Sequence, residues 1–194
     1  MERMETGKQK KLLLVVDPQM DFINGSLPVP GAAAAMDNLA EWLVQHPDYY
    51  DIRVVSRDWH KINHCSFKEY GGKWPIHCVE NSPGASVWPA LAHAAQKSYG
   101  PTIFLNKAEN EEEYSVFQKA ENRQLLQNLV REKEIGQIDI CGIAGDICVL
   151  QSLKDALNCF NPAMLKILRQ FSPSLDGGAK LDEFVREHLP CNRS

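Results

Sequence analysis

Four short apolar runs rich in β-branched residues punctuate the chain, at 12–16, 52–56, 102–105 and 138–143, each bounded by polar or turn-forming residues. Runs of this length without polar alternation suit strands buried on both faces, so they are predicted as members of a parallel sheet. Between them apolar residues recur at helical spacing: Met36, Leu39, Leu43 and Val44 within 32–46, then Leu125, Leu126, Leu129 and Val130 within 119–134, closed by Gly136. One-sided periodicity of this kind predicts crossover helices. A further helix is predicted over 146–158, a C-terminal one over 180–189, and a weaker fifth strand over 164–168. Alternating strands and helices imply an α/β fold, a mostly parallel sheet flanked by helices in a Rossmann-like three-layer αβα arrangement. One domain is expected over 1–194, with residues 1–11 as a flexible N-terminal tail. Residues 58–101, rich in Gly, Pro, Trp and His, are too long for a plain connection and are expected to form a functional excursion containing a short helix.

Composition narrows the chemistry. The chain has 194 residues, with 21 Lys and Arg against 25 Asp and Glu, for a net charge of −4. At this size a chain buries roughly 70% of its unfolded surface, so a metal site is expected to serve chemistry rather than folding. The acidic balance and the lack of a basic cluster argue against nucleic acid as the main partner. The run at 12–16 is too short for a membrane span or an export signal, so no membrane partner and a cytoplasmic location are expected. A small molecule is the expected partner, with assembly into a homo-oligomer allowed. The six cysteines include no Cys-x-x-Cys pair and read as thiols. Five of them, Cys65, Cys78, Cys141, Cys159 and Cys191, are expected to be small buried apolar side chains.

In open α/β sheets ligands bind beyond the carboxyl ends of the strands, and every predicted strand end here carries a titratable group. Asp17 follows the first, Asp58 and His60 the second, Lys107 the third, Asp146 and Cys148 the fourth. Pro18 stops the first strand and presents Asp17 at its end. Asp146 is predicted to cap a helix, which places Cys148 in the first turn, where free N–H groups and the positive helix end lower a thiol pKa from about 8.5 into the range of about 3.5–7.5. Asp17 and Lys107 are candidates for the base and the cation that activate such a nucleophile. A second cluster, Asp58-x-His60 followed by His64 and His77-Cys78, offers a carboxylate and two or three imidazoles, donors suited to zinc, manganese or iron. A structural zinc site drawing on Cys65 or Cys78 is the competing metal reading. The sequence has no Gly-x-Gly-x-x-Gly and no phosphate loop.

These residues sit in a recognisable series: Asp17-x-Gln19-x-Asp21-Phe22, Ser56-Arg57-Asp58-Trp59-His60, His64-Cys65-Ser66-Phe67, Trp74-Pro75-Ile76-His77-Cys78, Lys107, Tyr114-Ser115-x-Phe117 and Gly142-Ile143-Ala144-Gly145-Asp146-Ile147-Cys148-Val149. The series resembles the nicotinamidases (pyrazinamidases) of the isochorismatase-like cysteine hydrolase family, over Leu12 to about Leu157. The resemblance implies a metal-dependent amidohydrolase that converts nicotinamide to nicotinate and ammonia through a thioester, as in NAD salvage, and that also hydrolyses pyrazinamide. Another hydrolase of this fold, acting on a different small amide, is the alternative. It implies a triad of Asp17, Lys107 and Cys148, and one divalent metal held by Asp58, His60 and His77, with zinc in first place and manganese or iron as alternatives. His64 matches a position that ligates the metal in some members and stands behind the ligands in others. It also implies a cis peptide between Ile143 and Ala144, an oxyanion hole from the N–H groups of Ala144 and Cys148, and a pocket built from Phe22, Trp74, Tyr114 and Ile143. The chain departs from the family pattern at Gly145, where Thr or Ser is usual, at Ile147, and at Ala108, where Gly is common.

Overall fold

The computed structural model describes residues 8–190. Five parallel strands, β1 (Lys10–Val16), β2 (Ile52–Asp58), β3 (Thr102–Lys107), β4 (Ile135–Gly142) and β5 (Leu165–Ile167), form one sheet in the order β3-β2-β1-β4-β5. The chain runs outward from β1 through β2 to β3, then returns to place β4 on the other side of β1. The crevice at the carboxyl ends of β1 and β4 is therefore the topological switch point.

Successive side chains of a strand face opposite ways, and β1 uses both faces. Leu12, Leu14 and Val16 point with Ile138 and Ile140 into a core covered by α4 (Ala120–Glu132), α5 (Leu150–Cys159) and α6 (Ala179–His188). Leu13 and Val15 point with Val55 and Cys141 into the opposite core, beneath α2 (Ala32–Gln45) and α3 (Pro89–Lys97). The helix α3 lies inside the 58–101 excursion, together with 3₁₀ turns at Lys68–Tyr70 and Pro83–Ala85, and a short helix α1 (Met20–Ile23) follows β1. Among the described residues no helix is long and apolar enough to cross a membrane.

The boundaries differ from expectation where charged residues join the sheet. Strands β2 and β3 continue to Asp58 and Lys107, which pair in the ladder and are buried together. Lys10 and Lys11, expected in the tail, belong to β1, with the Lys11 N–H donating to Asp51 Oδ2 at 2.8 Å; residues 1–7 of that tail lie outside the described residues. Gly136 does not close α4: the helix ends at Glu132, Glu134 takes the left-handed turn (φ 55°), and Gly136 is in β4. Cys78 and Cys141 are buried as expected, whereas Cys65 is exposed and Cys159 half-buried; Cys191 lies outside the described residues.

Gly142 closes β4 at the switch point with φ 126°, and a Cβ there would lie 2.0 Å from the Val16 carbonyl oxygen. Both the backbone conformation and the approach of β4 to β1 require glycine. Gly142→Ala is expected to lower unfolding stability by about 2–4 kcal/mol, read from the urea midpoint.

Candidate active site

The end of β1 supplies the first group. Pro18 has no N–H and ends the strand, and Asp17 before it sits at φ 47°, a left-handed conformation rare for any residue but glycine and one that concentrates at functional sites. It is held there by its N–H donating to the Ser56 carbonyl at 3.1 Å and by Ser56 Oγ donating to Asp17 Oδ1 at 2.7 Å. The other carboxylate oxygen, Oδ2, lies 2.9 Å from Lys107 Nζ in an ionic contact without hydrogen-bond alignment.

Lys107 is fully buried. Its ammonium lies 2.5 Å from Asp58 Oδ1 and 3.9 Å from Cys148 Sγ, and donates to the Glu113 carbonyl at 3.3 Å. Burial alone would strip its proton, but the charges of Asp17 and Asp58 hold its pKa well above the ordinary lysine value. The two carboxylates then diverge. Burial, reinforced by the charge of Asp58, pushes Asp17 up to about 6 against the pull of Lys107. Asp58 is equally buried, but Lys107 and His60 together hold it well below the carboxylate range.

Cys148 does not begin a capped α-helix. It lies in a single π-helical turn, Gly145–Val149, that precedes α5; the turn starts after Ala144 without a side-chain cap, and Asp146 instead accepts from the Leu175 N–H at 3.0 Å. Burial, together with the carboxylates nearby, pushes the thiol well above its ordinary pKa despite Lys107. The resting thiol is thus protonated, correcting the expectation of a lowered pKa. Burial of the sulfur is the main cause, and the charges of Asp17 and Asp58 add to it. The Ile143–Ala144 peptide is cis.

The second donor set converges beside the first. His60 Nδ1 donates to the Ala108 carbonyl at 2.8 Å and His77 Nδ1 to that of Pro75 at 2.7 Å, which fixes both tautomers with a bare Nε2. His60 Nε2 is buried without a hydrogen-bond partner and lies 3.5 Å from Asp58 Oδ2. One ligand atom from each of Asp58, His60 and His77 falls within 4.8 Å of the others. An orphaned imidazole nitrogen facing a carboxylate and a second imidazole fits a divalent cation. Burial lowers the His77 pKa and keeps that ring neutral. His64 is not in this set: it stacks on His60 with ring centroids 4.2 Å apart and places Nε2 3.1 Å from the Glu111 carbonyl. Neither Cys65 nor Cys78 contributes to a ligand cluster among the described residues, which removes the structural-zinc arrangement.

Both sets open onto one cleft. Phe22, Trp74 and Tyr114 line it together with Ala144, Ile147 and Cys148. Trp74 Nε1 donates to the Tyr114 hydroxyl at 3.1 Å, and Phe22 packs 5.4 Å from the His77 ring. Ile143, expected in the pocket, is instead buried in the α2/α3 core, with its N–H on the Val16 carbonyl. Ala144, on the far side of the cis bond, borders both this core and the cleft.

Several positioning residues escaped sequence reasoning. Gln19 is fully buried and grips the backbone of Asp58 on both sides, Oε1 accepting from its N–H and Nε2 donating to its carbonyl, each at 2.8 Å. Where β1 has ended at Pro18, this side-chain amide stands in for the missing strand. Asp21 Oδ2 accepts from the Cys78 N–H at 2.7 Å and so anchors the segment bearing His77. Ala108 is left-handed (φ 55°), which explains why glycine is common there; Glu113 Oε2 takes its N–H at 2.6 Å and His60 its carbonyl. Gly145 also has a local reason: a Cβ would fall 2.6 Å from the Ser172 carbonyl oxygen. The spacing Asp17-x-Gln19-x-Asp21 was the one available signal for the first two.

The isochorismatase domain family matches residues 11–159. The chain is 34% identical over 152 residues to the nicotinamidase/pyrazinamidase of Mycobacterium tuberculosis, covering 76% of this chain and 78% of that protein. Among solved structures it is similar to the pyrazinamidase of Pyrococcus horikoshii in complex with zinc, with TM-score 0.75, 30% identity and coverage of 93% and 97% of the two chains. It is also similar to a protein of L. infantum in complex with nicotinate, with TM-score 0.78, 26% identity and coverage of 93% and 90%.

In the metal-free chain Asp17 is expected to ionise near pH 6, followed as a carboxyl infrared band absent from Asp17→Asn. Because its folded pKa is raised above the ordinary 3.8, its stabilising contribution is complete below that value and declines as pH rises through about 6. The stability of Asp17→Asn relative to the natural chain should therefore improve between pH 4 and pH 7.

Proposed function

The chain belongs to the isochorismatase family, and on that premise we propose that it is a cysteine amidohydrolase that converts nicotinamide to nicotinate and ammonia, a step of NAD salvage. The observation that carries this reading is that one aromatic-walled cleft holds both the Cys148 thiol and the Asp58, His60 and His77 donors, joined through Lys107. Pyrazinamide, which also carries a ring nitrogen meta to its carboxamide, is proposed as a second substrate, supported by the pyrazinamidases among the relatives. Asp58, His60 and His77 would hold a divalent metal, and we propose zinc, supported by the zinc complex of the Pyrococcus horikoshii relative. Bound there, the cation supplies a Lewis-acid contact for the ring nitrogen. His64 supports His60 from behind by stacking.

The catalytic roles follow from the resting protonation states. Cys148 is a thiol and Asp17 an adjacent carboxylate with a raised pKa and one oxygen free of aligned hydrogen bonds. A thiol meeting a base of pKa about 6 gives up its proton as the sulfur attacks, so the costly buried thiolate need not persist. Sulfur bonds to the amide carbon, Asp17 carries the proton to the departing nitrogen, and ammonia leaves a thioester. Water then attacks, Asp17 takes its proton and returns it to the sulfur, and nicotinate is released. Lys107, 3.9 Å from the sulfur, compensates the charge whichever of Asp17 and Cys148 carries it. The N–H groups of Gly145, Ile147 and Val149 are committed to the carbonyls of Pro173 and Ala144. Those of Ala144 and Cys148 are the proposed donors to the oxyanion, each worth about 3–4 kcal/mol in the transition state. Phe22, Trp74 and Tyr114 are proposed to flank the ring.

We also propose a cytoplasmic location, supported by the free thiols of Cys65, Cys78, Cys141, Cys148 and Cys159. The net charge of −4 supports a small-molecule substrate over nucleic acid as partner.

Cys148→Ala is expected to cut ammonia release from nicotinamide by about a thousandfold or more while nicotinate still quenches tryptophan fluorescence; turnover within tenfold of the natural chain would refute the nucleophile. Chelation is expected to abolish ammonia release and leave the far-ultraviolet circular dichroism unchanged, because neither core includes a donor and Asp58, the one donor in the sheet, is held in its ladder by main-chain pairing. Unfolding on chelation would contradict the catalytic role of the metal.

A further inference from the structure

We propose that Leu175 is a specificity-determining residue, an apolar wall of the cleft that limits which ring substituents are accepted. The inference rests on the reading of the cleft as a pyridine-carboxamide site and deepens it. Leu175 lines the same cleft as Phe22, Trp74 and Cys148, yet it is 46% exposed. A lone exposed leucine is ordinary on a protein surface. This one is held in place by backbone contacts on either side. Its N–H donates to Asp146 Oδ1 at 3.0 Å, and the Pro173 carbonyl accepts from the Gly145 N–H at 2.8 Å, both on the turn that carries Cys148. On the far side Asp176 accepts from the N–H groups of Gly178 and Lys180 at 2.8 and 3.1 Å. A main chain fixed this way sets where the side chain projects, and left uncovered at a cleft that side chain offers an apolar contact.

Gly145 adds an independent observation. A Cβ at this position would lie 2.2 Å from Ser174 Oγ and 2.6 Å from the Ser172 carbonyl oxygen. The segment carrying Leu175 therefore approaches the Cys148 turn as closely as glycine permits, and the departure from the usual Thr or Ser makes room for it. The family match ends at residue 159, so this wall comes from chain beyond the matched region. The ligand class it favours is a flat, uncharged aromatic carboxamide whose outward edge carries no bulky group.

The experiment compares the natural chain, Leu175→Ala and Leu175→Phe on nicotinamide and on nicotinamides methylated at each free ring carbon, following ammonia release. In Leu175→Ala, KM for nicotinamide should rise about fivefold, and kcat/KM for at least one methylated substrate, relative to nicotinamide, should improve about tenfold. Leu175→Phe should move the same ratio the other way. Leu125→Ala, exposed on α4 away from the cleft, serves as the control that moves neither. A purely structural role would lower kcat/KM for every substrate alike, and an unchanged substrate ratio in both Leu175 variants would overturn the proposal. If the natural chain released no ammonia from nicotinamide, the hydrolase reading would fall. The affinity of Leu175→Ala for nicotinate by tryptophan fluorescence would then decide the wall by itself, weakened binding supporting it and unchanged binding refuting it.

Discussion

The site is organised by one buried ammonium. Lys107 sits at the end of β3 with no exposure to solvent, 2.9 Å from one carboxylate and 2.5 Å from another. An isolated ammonium in such a place would lose its proton, and two adjacent carboxylates without it would not both ionise. Each charge is admitted only because the others are present. The arrangement fixes the ends of β1, β2 and β3 relative to one another, which makes the carboxyl edge of the sheet a single electrostatic unit.

That unit divides labour between carboxylates that are chemically identical. Asp58 is drawn to Lys107 and His60 and stays ionised, as its proposed role toward a metal requires. Asp17 is left with the repulsion of Asp58 and the cost of burial, and becomes a base of moderate strength. Two left-handed residues frame the pair: Asp17 itself and Ala108, whose carbonyl orients His60. Such conformations persist where surrounding contacts over-determine them, and here Ser56 and Glu113 provide those contacts.

The sheet was legible because buried strands announce themselves as apolar runs and crossover helices as one-sided periodicity. The titratable groups were legible because each follows such a run. What the sequence hid was how charge enters the interior: periodicity ends at Ser56 and Leu105, although β2 and β3 continue to Asp58 and Lys107, since those burials depend on a partner distant in sequence. The same holds for Asp146, whose residue type suits a helix cap but whose carboxylate is taken by Leu175 from 29 residues away. The state of the Cys148 thiol is hidden for a related reason, because local helix position carries no sign of how deeply the fold buries the sulfur or of the carboxylates that β1 and β2 bring behind it. Leu175 carried no signal at all, being one leucine in a segment without periodicity.

Gln19 ties one half of the site to β1 by a side chain alone. The backbone of Asp58 is secured toward β1 by a side-chain amide rather than by a strand, so the sheet does not require that bond for its own integrity. A single exchange at this position can loosen the carboxylate that serves the histidines while leaving Ser56, Asp17 and Cys148 where the main chain puts them. Because Asp58 shares Lys107 with Asp17, any loosening at Gln19 is felt as a change of charge on the far side of that lysine, without a main-chain bond having moved.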